Sequence, residues 1–229
     1  MTSTPLIALI NATPAAITPA RSALARELPD ARVWNLLDDR LLQSVDEAGS
    51  LTQALRDRMG RLVDHAVLEG ADGVLLTCSV YGSVAELLAP GTPVPVVGPD
   101  SDAITEVASS DHTDVLVLAS QEHSRTDTVA RLRAASDRAG RVRTIHGTVA
   151  DGATRAGADG DRSALLEALL TAVRGAVAAR DTPPQALLLA QYSLTPVQAE
   201  LAEATGLPVY SGPQSAARAL RARLRQVRP

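Results

Sequence analysis

Cys78 is the only thiol in a chain of 229 residues. A thiolate is a nucleophile and a base, and a thiol can deliver a proton. A single cysteine is more often a small buried hydrophobe than a catalyst, but this one stands in a suggestive place. It follows the apolar run VLLT and precedes Ser79, Tyr81, Gly82 and Ser83 at the start of a helical segment. A helix N-terminus and nearby backbone N–H groups would lower its pKa from about 8.5 toward neutrality. The same N–H groups, with the hydroxyls of Ser79 and Ser120, would hold a substrate carboxylate or the spread charge of an enediolate.

The remaining composition removes other chemistries. All 22 basic residues are Arg. Without lysine there is no Schiff-base lysine, no ordinary pyridoxal-phosphate site and no P-loop lysine. One cysteine excludes an internal disulfide. His65, His112, His123 and His146 lack ligand spacing, so no metal site is expected. Gly82 and Gly98 belong to no GxGxxG pattern, and Asp38, Asp39, Asp100 and Asp102 read as a solvated loop and a helix N-terminus.

A net charge of −4 argues against nucleic acid as a partner. The closing cluster Arg218, Arg221, Arg223, Arg225 and Arg228 spreads around a terminal helix and reads as a solvated end. The first apolar run, 6–10, is too short for a signal peptide or membrane span. The sequence therefore predicts a cytoplasmic protein with no membrane partner and a reduced thiol.

What must position these residues is an alternation of short apolar runs with longer helical periods. The runs cover 6–10, 33–36, 74–76, 94–97, 115–118, 142–145, 187–189 and 208–210. Between them, Leu51, Leu55, Met59, Leu62, Val63, Ala66 and Val67 form one helical stripe, and Leu165, Leu166, Leu169, Leu170, Val173 and Val177 another. This is an α/β pattern with parallel sheets. The Gly/Asp-rich stretch 147–160 shows no period and is expected to be a loop.

An internal repeat organises the elements. VLLTCSVYGSVAELL at 74–88 resembles LLLAQYSLTPVQAEL at 187–201, and the closing motifs VGPDS and SGPQS follow each copy. Pro99 and Pro213 lie 21 and 22 residues beyond Cys78 and Gln191. Upstream, LIALIN ending at Asn11 resembles VLVLAS ending at Ser120, which equates those two residues. The fold expected is α/β, with two pseudosymmetric parallel-sheet βα lobes: 1–97 plus 214–229, and 98–213. Ligands of such lobes bind beyond the carboxyl ends of strands. The first lobe offers Asn11, Thr13, Cys78 and Ser79 there, and the second Ser120, Gln191, Tyr192 and Ser193. Pseudosymmetry would set Cys78 opposite Gln191.

The TCSVYG, VLASQEHS and LLLAQYS segments, within repeated lobes spanning nearly the whole chain, resemble the aspartate/glutamate racemase superfamily. That group also includes hydantoin racemases, maleate isomerases and arylmalonate decarboxylases. The resemblance implies an Asp/Glu racemase-like fold, a small carboxylate-bearing substrate, no cofactor and a homo-oligomer. It also implies two cysteines flanking the substrate, one removing the α-proton and the other protonating the opposite face. The first maps onto Cys78. The second position holds Gln191, which cannot exchange a proton near neutral pH.

Three routes remain for an isomerase-like enzyme acting α to a carboxylate through one thiol. Cys78 could protonate an enediolate left by decarboxylation of a malonate. As resemblance to the maleate isomerases implies, it could add to an electrophilic alkene or carbonyl, with bond rotation before elimination. Or another group could supply the second base: His123, titrating near neutrality, or Tyr192, which would need a large downward pKa shift. A non-catalytic carboxylate-binding module is the alternative of a different class. With no Phe, one Trp and three Tyr, a small polar acid suits the chain better than an aryl one.

Overall fold

The computed structural model describes residues 4–227. Two four-stranded sheets carry the architecture. The first contains β1 (Leu6–Asn11), β2 (Arg32–Leu37), β3 (Gly73–Leu76) and β4 (Val96–Val97) in the order β2-β1-β3-β4. The second contains β5 (Asp114–Ala119), β6 (Thr144–Val149), β7 (Ala186–Leu189) and β8 (Val209–Ser211) in the order β6-β5-β7-β8. Every pair is parallel, and the two orders are the same when the second set is read as a copy of the first.

Parallel neighbours need long crossovers, and helices supply most of them. They are α1 (Ile17–Glu27), α2 (Arg40–Ala48), α3 (Gln53–Leu68), α4 (Gly82–Leu88), α5 (Ser101–Ser109), α6 (Glu122–Arg138), α7 (Ala153–Asp159), α8 (Arg162–Ala178), α9 (Gln198–Thr205) and α10 (Gly212–Val227). The chain divides into two compact units. One runs up to Ser101 and resumes at Pro213; the other is Asp102–Gly212.

In the first unit, α3 starts at Gln53 because the Thr52 hydroxyl accepts the Leu55 N–H at 3.4 Å. Leu51, the first residue of the predicted stripe, thus lies ahead of the helix. Leu55, Met59, Val63 and Ala66 then bury their side chains with Ala8, Ile10, Val74 and Leu76 of the sheet. The other face receives α10. A Cβ at Gly73 would sit 3.0 Å from Leu220 Cδ1 and 3.5 Å from Ile7 Cδ1, so the missing side chain permits this approach. Arg221 pairs with Glu27 at 2.8 Å, and Arg223 donates to Val96 O at 3.2 Å. The basic end of α10 is thus partly tied to its own unit; Arg228 lies outside the described residues.

The second unit sorts β5 by strand alternation. Val115, Val117 and Ala119 pack with Ile104, Val107, Val129 and Leu132 from α5 and α6. Leu116 and Leu118 pack with Leu165, Leu169, Val173 and Leu201 from α8 and α9. Strands β3, β5 and β7 are buried along their whole length, as parallel strands covered on both faces must be.

Three sequence expectations need correction. Residues 147–160 are not a loop: β6 runs to Val149, and α7 occupies Ala153–Asp159. The helix carries almost no apolar period because its buried face is only Ala153 and Ala156, while Gly152 and Gly160 flank it at φ of 80° and 70°. The run 142–145 begins two residues early, because Val142 is 95% exposed and pairing starts at Thr144. The equation of Asn11 with Ser120 is one residue off. Ile10 lies opposite Leu76 and Leu118 opposite Leu189. Since Leu76 corresponds to Leu189, Asn11 corresponds to Ala119, and Ser120 to Ala12.

Candidate active site

The carboxyl end of the first sheet is built around a buried polar tie. Asn11 is fully buried at the end of β1. Its Oδ1 accepts from Thr77 Oγ1 at 2.9 Å, and its Nδ2 donates to Leu9 O at 3.2 Å and Leu36 O at 3.4 Å. The amide proposed to meet substrate is therefore occupied in joining β1, β2 and the end of β3. Thr77 is equally internal, since its hydroxyl also lies 3.3 Å from Ile10 O.

Cys78 comes next, and it is partly exposed. After it the chain makes a 3-10 turn, Ser79–Tyr81, leading into α4 of seven residues. The expected lowering of the thiol pKa is reversed here. Burial pushes it up to about 11; the Val80 N–H acts to lower it, the Asp100 carboxylate to raise it, the Tyr81 N–H to lower it and the Asp46 carboxylate to raise it. Desolvation and two like charges outweigh two N–H groups on so short a turn. Cys78 thus rests as a protonated thiol near neutral pH. Asp100, expected on a solvated helix start, is only 5% exposed, because 96–100 are all buried as the chain leaves β4.

Tyr81 backs the turn. It is fully buried, and its hydroxyl donates to Leu41 O at 3.1 Å. Burial, with the neighbouring Cys78, pushes its phenol up to about 12. Nearby, Arg58 holds Asp38 at 2.7 Å and steadies the segment after β2. Ser79 and Thr13 keep partial exposure at the carboxyl ends of β3 and β1.

The carboxyl end of the second sheet is tied differently. Gln191, corresponding to Cys78, turns its side chain across to the end of β5. Its Oε1 accepts the Ser120 N–H at 2.8 Å, and its Nε2 donates to Ser120 Oγ at 2.9 Å and Ser124 Oγ at 3.2 Å. Thr154 Oγ1 donates to Ser120 O at 3.1 Å. Ser120 and Gln191 are the predicted residues that the structure brings into direct contact. Ser193 is partly exposed, in a 3-10 segment over residues 192–197, and its backbone packs against Gly157 of α7, where a Cβ would meet Ser193 O at 3.2 Å. Tyr192 is 4% exposed. His123 is exposed on the first turn of α6.

Sequence reasoning passed over Thr77, Asp46, Ser124 and Thr154. Ser124 stands four residues beyond Ser120, a spacing that could have marked a shared partner at the start of a helix. The others depend on strand pairing and helix placement. Among the described residues, no group of three or more His, Cys, Asp or Glu is placed to hold a metal ion, and no helix is long and apolar enough to cross a membrane.

Two parallel sheets of equal strand order, with candidate polar groups at their carboxyl ends, invite comparison with known proteins. The family model of the Asp/Glu/hydantoin racemases matches residues 15–220. The chain belongs to the Asp/Glu/hydantoin racemase family. Among solved structures, it is similar to the aspartate racemase of Picrophilus torridus at 14% identity and a TM-score of 0.66, covering 96% of this chain and 94% of that one. The allantoin racemase of Klebsiella pneumoniae is 16% identical with a TM-score of 0.65, covering 96% and 87%. An arylmalonate decarboxylase is 19% identical with a TM-score of 0.56, covering 96% and 92%. At these identities the likeness is one of fold. No curated protein matches the chain. The family is described by its racemases, and an arylmalonate decarboxylase is among the solved structures of similar fold.

Proposed function

We propose that the protein is a cofactor-independent enzyme acting at the carbon α to a carboxylate, with Cys78 delivering a proton to one face of an enediolate. One observation carries this reading: just beyond the carboxyl end of β3 Cys78 keeps partial exposure, whereas its counterpart Gln191 is bonded to Ser120 and Ser124. The surroundings of Cys78, with Asp100 and Asp46, also favour the protonated thiol. Such a group suits a general acid better than a resting nucleophile, so addition of a thiolate to an alkene is the less favoured route.

The reaction requiring only this one group is decarboxylation of a malonate-type acid. The bond between the α-carbon and one carboxylate breaks, carbon dioxide leaves, and the electron pair stays behind as the enediolate. The S–H proton of Cys78 passes to the carbon, and the thiolate retakes a proton from water. A high thiol pKa favours that last step. The hydroxyls of Ser79 and Thr13 are available to the remaining carboxylate.

The test uses substituted malonates in heavy water, read by NMR. The expected product is a monocarboxylic acid with one deuteron and one handedness, formed about 10²–10⁴ times more slowly by Cys78→Ala, the usual contribution of a positioned proton donor. Equal turnover by the variant overturns the role of Cys78. Racemisation of a preformed acid without carbon dioxide release would favour the isomerase route. Thermal stabilisation by malonate with no turnover would favour a binding module.

A further inference from the structure

We propose that Gln191 is a positioning residue, whose amide sets the Ser120 hydroxyl as a hydrogen-bond donor to the carboxylate of an acidic ligand. The inference rests on the reading above only in taking the ligand to be a carboxylate.

The valences of the amide lead to it. Gln191 Nε2 has two hydrogens, and both are spent, on Ser120 Oγ at 2.9 Å and Ser124 Oγ at 3.2 Å. Gln191 therefore has no N–H left to offer a ligand. Its Oε1 takes the Ser120 N–H at 2.8 Å, so that backbone donor is withdrawn as well. What remains is the Ser120 hydroxyl. With a lone pair of its oxygen filled by Nε2, its own proton is directed away from the amide and toward an acceptor. Ser124 receives the same bond but is only 5% exposed, whereas Ser120 keeps partial exposure. Thr154 Oγ1 on Ser120 O, at 3.1 Å, fixes the backbone, so the donor is held from three sides. Gln191 thus acts through Ser120, and the polarity of its amide decides which way the serine proton points.

The experiment measures binding of the malonate dianion by titration calorimetry, which reads affinity whether or not the protein turns it over. Four chains are compared with wild type: Gln191→Met, Gln191→Glu, Ser120→Ala and the double variant Gln191→Met with Ser120→Ala. Gln191→Met keeps the length and removes the bonds. Gln191→Glu keeps the acceptor for the Ser120 N–H but makes the Nε2 position an acceptor, so both serine protons turn inward. A charge-assisted bond of this kind is worth roughly a tenfold to hundredfold change in affinity. Ser120→Ala and Gln191→Glu are expected to lose about that much, and Gln191→Met about tenfold. The double variant is expected to bind no more weakly than Ser120→Ala, because the two residues act as one.

Additive losses in the double variant overturn the proposal, as does wild-type affinity in Gln191→Met or Ser120→Ala, or the absence of malonate binding in the wild-type protein. A folding defect is separated by the melting temperature of each variant, and Ser120→Ala, which removes one oxygen, carries the test if Gln191→Met melts early. Loss of turnover in Cys78→Ala, or its absence in wild type, bears on the proposed reaction and leaves these binding differences to be read independently.

Discussion

The carboxyl ends of the two sheets share a topology and differ by one residue in where their polar bonds lie. In the first unit, the tie across β1 and β3 is made by Asn11 and Thr77, and the residues that follow are Ala12 and Cys78. In the second, the corresponding positions are Ala119 and Ala190, which have no polar side-chain atoms, and the tie passes to Ser120 and Gln191. Where the inner layer makes the bond, the next residue, Cys78, keeps partial exposure. Where the inner layer is apolar, the next residue is drawn into holding the strands together. The same fold thus yields one end with a partly exposed thiol and another whose amide is already satisfied.

The largest effect expected from this contrast is on turnover. Cys78→Ala should slow product formation by about 10²–10⁴ if the free position is the chemical one; unchanged turnover would erase the distinction between the two ends. Next comes the thiol's reactivity with pH. With a thiol pushed up to about 11, alkylation by iodoacetamide should stay slow from pH 7 to 9 and climb steeply above it. Because the Asp100 carboxylate acts to raise the thiol, Asp100→Asn should shift that climb to lower pH; a profile centred near 8.5 in the wild-type protein would contradict the burial described here.

Stability sharpens the comparison further. Thr77→Val keeps the shape of the inner layer and strips the donor from Asn11 Oδ1, leaving a buried acceptor unsatisfied. A loss of about 1–3 kcal/mol in denaturant unfolding is expected. Ser124→Ala removes one of two acceptors from Gln191 Nε2, and a partly exposed amide can turn to water, so about 0.5–1.5 kcal/mol is expected. If Ser124→Ala proves the costlier of the two, the tie in the second unit is the structural one and that in the first is incidental.

Much of this arrangement was legible from residues alone. Apolar runs located the strands because parallel strands buried on both faces must be apolar throughout, and 73–76 and 186–189 are. The repeat located Cys78 and Gln191 as counterparts, and the pairing of β3 and β7 agrees. Less legible was α7, whose buried face of two alanines gives almost no hydrophobic signal. Gly147 falls in the stretch expected to be a loop, yet it lies in β6 for a packing reason: a Cβ there would fall 2.7 Å from Arg125 Cγ and 2.8 Å from Val129 Cγ2 of α6. The one-residue offset between Asn11 and Ser120 escaped too, since similar hexapeptides align almost as well one step apart.

The sequence by itself determined the α/β class, the single thiol and its place after a strand, because these follow from residue type and periodicity along the chain. The family follows from the resemblance of the TCSVYG, VLASQEHS and LLLAQYS segments and the match over residues 15–220. Tertiary structure alone decided the state of that thiol and the fate of its counterpart. A pKa depends on how much water the fold removes and which carboxylates it brings near, and Asp46 and Asp100 come from distant segments. Whether Gln191 faces a ligand or a neighbouring strand depends on a register fixed by hydrogen bonds between β5 and β7, residues about seventy positions apart.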